Sequence, residues 1–416
     1  MSFRIALSGL NAAATDLSVT GNNIANAGTT GFKESRAEFA DVYASSVLDR
    51  SATAAGQGVR VARIAQQFSQ GVVEFTSNNL DLAINGEGFF VMKDGSGSQV
   101  YTRAGAFSAD RDGYVVNQAL QRLQIYPALT TASGDTTFNT GVLADLQLPT
   151  QPSPPQATGN IYAALNLDAQ QQPLPAAPAF APGDPSTYNH STSIVTYDSL
   201  GNSHTATMYF RKTANNQWDG YLYVNGKPLG NPPVDPPAGP MFNLTFNEQG
   251  VLTSSAIQRV GPYVAAGADD LSLDLDFGDT TQYGGSFAVN SLGQDGYSSG
   301  RLSGVDIDAD GIVFARYTNG QSSAMGKVAL AKFNNTQGLR QIGDTSWVET
   351  FPSGDAQLGE AGTSSFGAIQ SGALEASTVD IAEQLVNLIT AQRNFQANAQ
   401  VITASDAITQ TVINLR

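Results

Sequence analysis

The chain has 416 residues, 41% of them apolar, enough for two or three domains with real cores and too much for a disordered protein. It holds no cysteine, which excludes disulfides, thiolate nucleophiles and cysteine-held metals. Of the formal charge of -15, residues 1–40 contribute nothing and residues 372–416 only -2, so the acid lies in the middle; such a body repels phosphate backbones and anionic lipid, and neither nucleic acid nor a membrane is an expected partner.

The first predicted element is a helix. Phe3, Leu7, Leu10, Ala14, Leu17, Gly21 and Ile24 recur at steps of four and three, the spacing of one narrow helical face. The helix should stop near Ala25, before Asn26, Gly28 and Gly31, residue types that accept the left-handed conformation of a helix end. The stretch before Ala14 carries one Arg and is interrupted by Ser8, Gly9 and Asn11, which makes a poor secretory signal. Residues 28–71 read as a connecting segment, with partial helix between Phe32 and Gly58.

Beyond Val59 the period changes to two. Val59 to Ile64, Val72 to Phe75, Leu80 to Ile84 and Phe89 to Met92 are short predicted strands, and Asp112-Gly113 marks a hairpin turn. Nine of the eighteen prolines then fall between Pro149 and Pro185, a linker-like passage, and six more between Pro228 and Pro240. Alternating segments near Ile194, Ala206, Tyr221, Phe242 and Leu271 predict a second β region of sandwich or small-barrel type, with Asn225-Gly226 as one turn. After Gly296 the first texture returns, with strands around Asn319-Gly320.

A last helix is predicted from Thr378 to Leu415. Its apolar face runs through Ile381, Leu385, Leu388, Gln392, Phe395, Ala399 and Ile402, then shifts phase to Ser405, Ile408, Val412 and Leu415. Neither terminal stripe has a partner nearby in sequence, so the two pair with each other, with other copies, or with both. The expected class is mainly β with helical termini, nested β domains of sandwich or barrel type lying between ends that form a coiled-coil-like core. The expected domains are residues 1–27 with 377–416 for the helical core, 72–148 with 295–370 for the first β domain, and 149–294 for the inserted outer one. Phe3, Leu7, Leu10, Leu17, Ile24, Leu385, Leu388, Phe395, Ile402, Ile408, Val412 and Leu415 are the candidate polymerisation residues.

No catalytic, cofactor or metal residue emerges. Asp306, Asp308 and Asp310 with Gly311 match the start of a calcium loop, but its twelfth position is Tyr317 where a bidentate Glu is needed, so an acidic β-turn is the expected reading. His190 and His204 lack converging partners, and neither Gly-Lys pair has the spacing of a phosphate loop.

Ala25 to Lys33, with Asn26, Thr30, Gly31, Phe32 and Lys33, resembles the signature after the first helix of bacterial flagellar rod and hook proteins. Asp81 to Phe90, Gln294 to Tyr297, Tyr317 to Gln321 and Glu383 to Asn398, the last containing Gln392, Arg393 and Asn398, resemble further motifs of that family. Thr378 stands where the family usually has Asn, and Ile381 where it has Leu. About 145 inserted residues make the chain more similar to a hook subunit than to a rod subunit.

The resemblance implies an extracellular structural protein without enzymatic activity or cofactor, exported through the type III apparatus without a cleavable signal. It would polymerise into a curved, flexible tube that passes motor torque from rod to filament. Its partners would be its own copies and the rod, hook-cap and hook-filament junction proteins. A distal rod subunit, or a secreted β-rich carbohydrate-binding or hydrolytic protein, are the alternatives.

Overall fold

The computed structural model describes residues 2–42, 56–130, 136–229, 235, 237, 239–264, 266–363 and 365–414. The chain is mainly β with one long helix near each end, and it divides into two units. The first comprises Met1–Thr150, Gly304–Arg316 and Ser322–Arg416; the second comprises Gln151–Ser303 and Tyr317–Gln321. Among the described residues no helix is long and apolar enough to cross a membrane.

In the first unit, α1 (Ser2–Ala25) and α2 (Ile381–Asn414) lie along one another. They run antiparallel, since Gly9 meets Asn398 while Asn23 bonds Gln384 at 3.2 Å. Asp380 starts α2 by accepting the free backbone N–H groups of Ala382 and Glu383 at 2.8 and 3.2 Å, the ordinary work of an N-cap. The approach at Gly9 is close: a Cβ there would stand 2.5 Å from Asn398 Oδ1.

The region predicted as a connection with partial helix is a β-hairpin in its described part. β1 (Ser35–Asp41) pairs antiparallel with β2 (Val59–Gln66), from Ser35 opposite Gln66 to Asp41 opposite Val59, with a bulge at Glu38 and Phe39. Ala37 and Ala65 are its buried residues, and the hairpin packs on α1. Asn23 joins them in both directions, donating to Ser35 O at 2.8 Å and accepting from Ser35 N at 2.9 Å. Ser-Arg-Ala-Glu-Phe-Ala-Asp has little hydrophobic alternation, so docking on a helix overrides a weak local preference. Residues 43–55, the rest of that expectation, lie outside the described residues.

The main sheet of this unit joins early and late chain. Ser322–Lys332 pairs with Arg122–Thr130, Val328 opposite Ile125, and with Phe89–Lys93, Leu330 opposite Phe90. Beneath it Phe89, Val91, Tyr101, Tyr126, Ala329, Phe333 and Trp347 form one apolar cluster.

The second unit is a sandwich of a four-stranded and a five-stranded sheet. Ile161, Leu165, Leu273 and Leu275 from the first meet Met208, Phe210, Trp218 and Leu222 from the second in a shared core. Asn225 and Gly226, at φ of 52° and 73°, make the left-handed pair that a two-residue hairpin turn needs. The proline-rich passage expected as a linker is tied down here. Lys212 Nζ, on a residue only 2% exposed, donates to Ala169 O at 2.7 Å and Gln171 O at 2.9 Å. Arg211 donates to Pro175 O and Pro178 O. Proline removes donors while leaving carbonyls, and two buried cations supply the missing donors. Phe180, on the same passage, stacks on Tyr221 with ring centres 3.9 Å apart.

Candidate assembly surface on the terminal helices

The stripe that joins α1 to α2 borders the predicted one and differs from it. On α1 the buried positions include Ala6, Ala13, Thr20 and Asn23; on α2 they are Gln384 and Ala391, with Leu388, Phe395, Asn398 and Ile402 half-buried. These α2 positions recur at steps of four and three, and small or amide side chains let the backbones approach. Of the predicted α1 residues, Leu10, Leu17 and Ile24 are half-buried at the edge of this contact, whereas Phe3 and Leu7 remain 47% and 41% exposed. On α2, Leu385 and Ile408 are 47% and 65% exposed. Val386, Ile389 and Val401, which the stepwise count passed over, are exposed as well. Val412 lies within α2, and Leu415 lies outside the described residues. Each terminal helix thus turns a stripe of small, amide and half-buried apolar residues toward its own chain and leaves other large apolar side chains in water.

The motif after α1 is an anchor to the β structure. Lys33 is 1% exposed; its Nζ contacts Glu375 Oε1 at 2.6 Å and donates to Ser69 O at 2.5 Å. Glu375 is fully buried and also receives Arg103 at 3.3 Å and the backbone N–H of Gly71 at 2.8 Å. Burial pushes the Lys33 ammonium below its usual range, and the Glu375 carboxylate opposes that shift. Burial lowers Arg103 in the same way, again against the pull of Glu375. Gly31 gives its N–H to Glu375 O at 2.8 Å and sits at φ 68°, where a Cβ would be 2.6 Å from Ala104 N, so only glycine fits. Phe32 is buried, while Asn26 and Thr30 line an adjoining polar cavity of about 490 Å³. Gln392 and Arg393 are exposed, and Asn398 donates to Asn394 O at 2.9 Å while facing Gly9. The motif pointed to Lys33, but Glu375 and Arg103 carried no local signal, because their partners are 342 and 272 residues away in sequence.

A second chain of bonds links the ends. Gln384 donates to Glu34 Oε2 at 3.2 Å, Thr378 Oγ1 accepts from Glu34 N at 2.9 Å, and Thr378 N donates to Phe32 O at 3.2 Å. Thr378 thus does capping work for the segment entering β1.

The other chemical candidates each make contacts within the chain. Asp308 Oδ1 accepts from Ile312 N at 2.8 Å inside a hairpin turn, and Asp306 pairs with Arg316. Among the described residues no group of three His, Asp or Glu is placed to hold a metal. His204 lies between Asp198 Oδ2 at 3.0 Å and Asn225 Nδ2 at 2.7 Å. His190 stacks on Phe287 with ring centres 4.5 Å apart, and burial lowers its pKa from the usual 6.5. A lowered histidine leaves stability intact above pH 6.5 and loses it as the unfolded chain binds the extra proton below. The second unit should therefore melt progressively earlier as the pH falls below about 6.5, by no more than about 1.4 kcal/mol per pH unit from this group. Fluorescence of Trp218, whose ring centre is 6.0 Å away, would follow it. His190→Gln should flatten the slope; an unchanged slope removes His190 as its source.

Comparison with known proteins follows the same architecture. Residues 3–33 match the family described as flagella basal body rod protein, and residues 83–154 match the flagellar hook protein FlgE/F/G D1 domain. Residues 166–297 match the flagellar basal body protein FlaE D2 domain, and residues 370–415 the flagellar basal body rod FlgEFG protein C-terminal family. The chain is 39% identical to the flagellar hook protein FlgE of Salmonella typhimurium over 417 residues, covering 100% of each. It is 38% identical to that of Escherichia coli strain K12 over 418 residues, again covering 100% of both. The crystal structure of Helicobacter pylori flagellar hook protein FlgE2 matches 73% of this chain and 100% of its own at 15% identity and a TM-score of 0.53, a likeness of fold.

Proposed function

The chain belongs to the flagellar hook protein family, and from that premise we propose how a hook subunit built this way carries load. It is a structural subunit of the flagellar hook. Its helical ends form the wall of a curved, flexible tube, and its two β units form the outer layers whose polar contacts exchange as the tube turns. The observation that carries this reading is the row of large apolar side chains left in water on both helices, Phe3 and Leu7 on α1, Leu385, Val386 and Ile389 on α2. Repetition of such a surface in many copies sums modest contacts into a stiff wall.

The role is mechanical, not catalytic, and no cofactor enters it. Its further partners are the rod, hook-cap and hook-filament junction proteins, and its route outward is the type III export apparatus. Electron microscopy of the purified protein above its assembly concentration tests the reading. Curved tubes are expected; straight tubes would move the chain to a distal rod role, and a protein that stays monomeric at all concentrations would defeat the assembly reading.

A further inference from the structure

The outward stripe of α2 carries one charge. Val386, Ile389, Arg393, Gln396 and Gln400 follow at steps of three and four, and Arg393 lies two residues, roughly 200°, around the helix from the buried Ala391. Its exposed guanidinium makes no hydrogen bond or ion pair among the described residues. A lone arginine in an otherwise uncharged stripe gains little in an assembled wall unless a carboxylate meets it.

The same unit holds an unmatched carboxylate in a suitable place. A cleft of about 300 Å³ opens between α1, β1 and α2, lined by Asp16, Glu34, Arg36 and Glu383 among others. Arg36 turns to Glu38 at 3.3 Å. Asp16, half-buried, has no hydrogen-bond or ion-pair partner for its side chain among the described residues, and burial alone raises its pKa. Glu34 is raised by burial first and then by Glu383 and Asp380, with Arg36 opposing. A cation entering the cleft would relieve all of these. Within the single chain Arg393 makes no ion pair with any of these carboxylates among the described residues.

We propose that the cleft beside Asp16 and Glu383 receives Arg393 of a second copy, so that a charge pair sets the register in which neighbouring helical ends pack. The contact joins two different surfaces of identical chains, which is the arrangement that propagates an open helical polymer. Apolar stripes alone would tolerate sliding by a turn; a single ion pair does not.

The inference rests on the helical ends being the assembling part, and charge exchange separates the two. R393E should raise the concentration needed for tube formation about a hundredfold, and D16K/E383K should do the same, while both monomers keep the native thermal melt. Combining all three changes in one chain should bring assembly back to within about tenfold of native. E383K sits on an exposed residue, so R393E/E383K gives a reduced version of that rescue should Asp16 prove necessary for folding. Native assembly by R393E, or no rescue in either combined variant, overturns the pairing while leaving the tube-forming reading intact.

Discussion

Glu375→Gln is expected to lower the melting temperature of the first unit by roughly 6–15 °C, corresponding to a loss of about 3–5 kcal/mol. Glu375 is fully buried and is the carboxylate shared by Lys33 and Arg103, which are 1% and 6% exposed. The glutamine keeps the shape but leaves two buried cations without a counter-charge, and desolvation already presses both towards their neutral forms. Lys33→Met should cost much less, about 1–2 kcal/mol, because it leaves one carboxylate facing one guanidinium and forfeits mainly the bond to Ser69 O. The chain has two tryptophans, and Trp347 lies in the first unit and Trp218 in the second. A Trp218→Phe background therefore lets Trp347 fluorescence follow the first unit alone. Equal losses from the two substitutions would show that Glu375 does not bear the charge of both partners.

This triad also marks where sequence reasoning stops. The helices, the period-two strands, the Asn225-Gly226 turn and the chain's mainly β class were legible, because each rests on residues a few positions apart. Glu375 was invisible because what makes it important is a lysine and an arginine brought from far along the chain. The hairpin from Ser35 was missed for a related reason: its burying residues are two alanines, Ala37 and Ala65, and alanine carries little periodic signal. The helical faces show the subtler case. Counting large apolar residues in steps of four and three finds the side chains most in need of a partner, but Ala6, Gly9, Ala13 and Ala391 permit the closest approach, and they hold the chain's own helices together. The larger residues at positions such as Leu7 and Leu385 are what remains for neighbours.

That division makes Leu385→Asp the sharpest test of assembly. Leu385 is 47% exposed in the single chain, so the aspartate should change monomer stability by no more than about 0.5 kcal/mol and leave its helical circular dichroism unaltered. In the assembled wall the same site would be enclosed. Assembly can bury only the exposed half of this leucine, so losing it forfeits about 0.7–1.5 kcal/mol, and enclosing a carboxylate without a partner adds several more. Each 1.4 kcal/mol is a factor of ten in association, so the assembly concentration should rise by well over about a hundredfold and no tubes should form at working concentrations. Leu7→Asp on α1 should behave alike. Ile402→Asp serves as the contrast, because Ile402 is half-buried on the stripe shared with α1 and its replacement should disturb the monomer's helices as well. Sedimentation of each variant against its monomer spectrum separates the cases: tubes from Leu385→Asp at the native concentration would mean that the exposed stripe of α2 faces solvent in the polymer too, and the wall would have to be built from other surfaces.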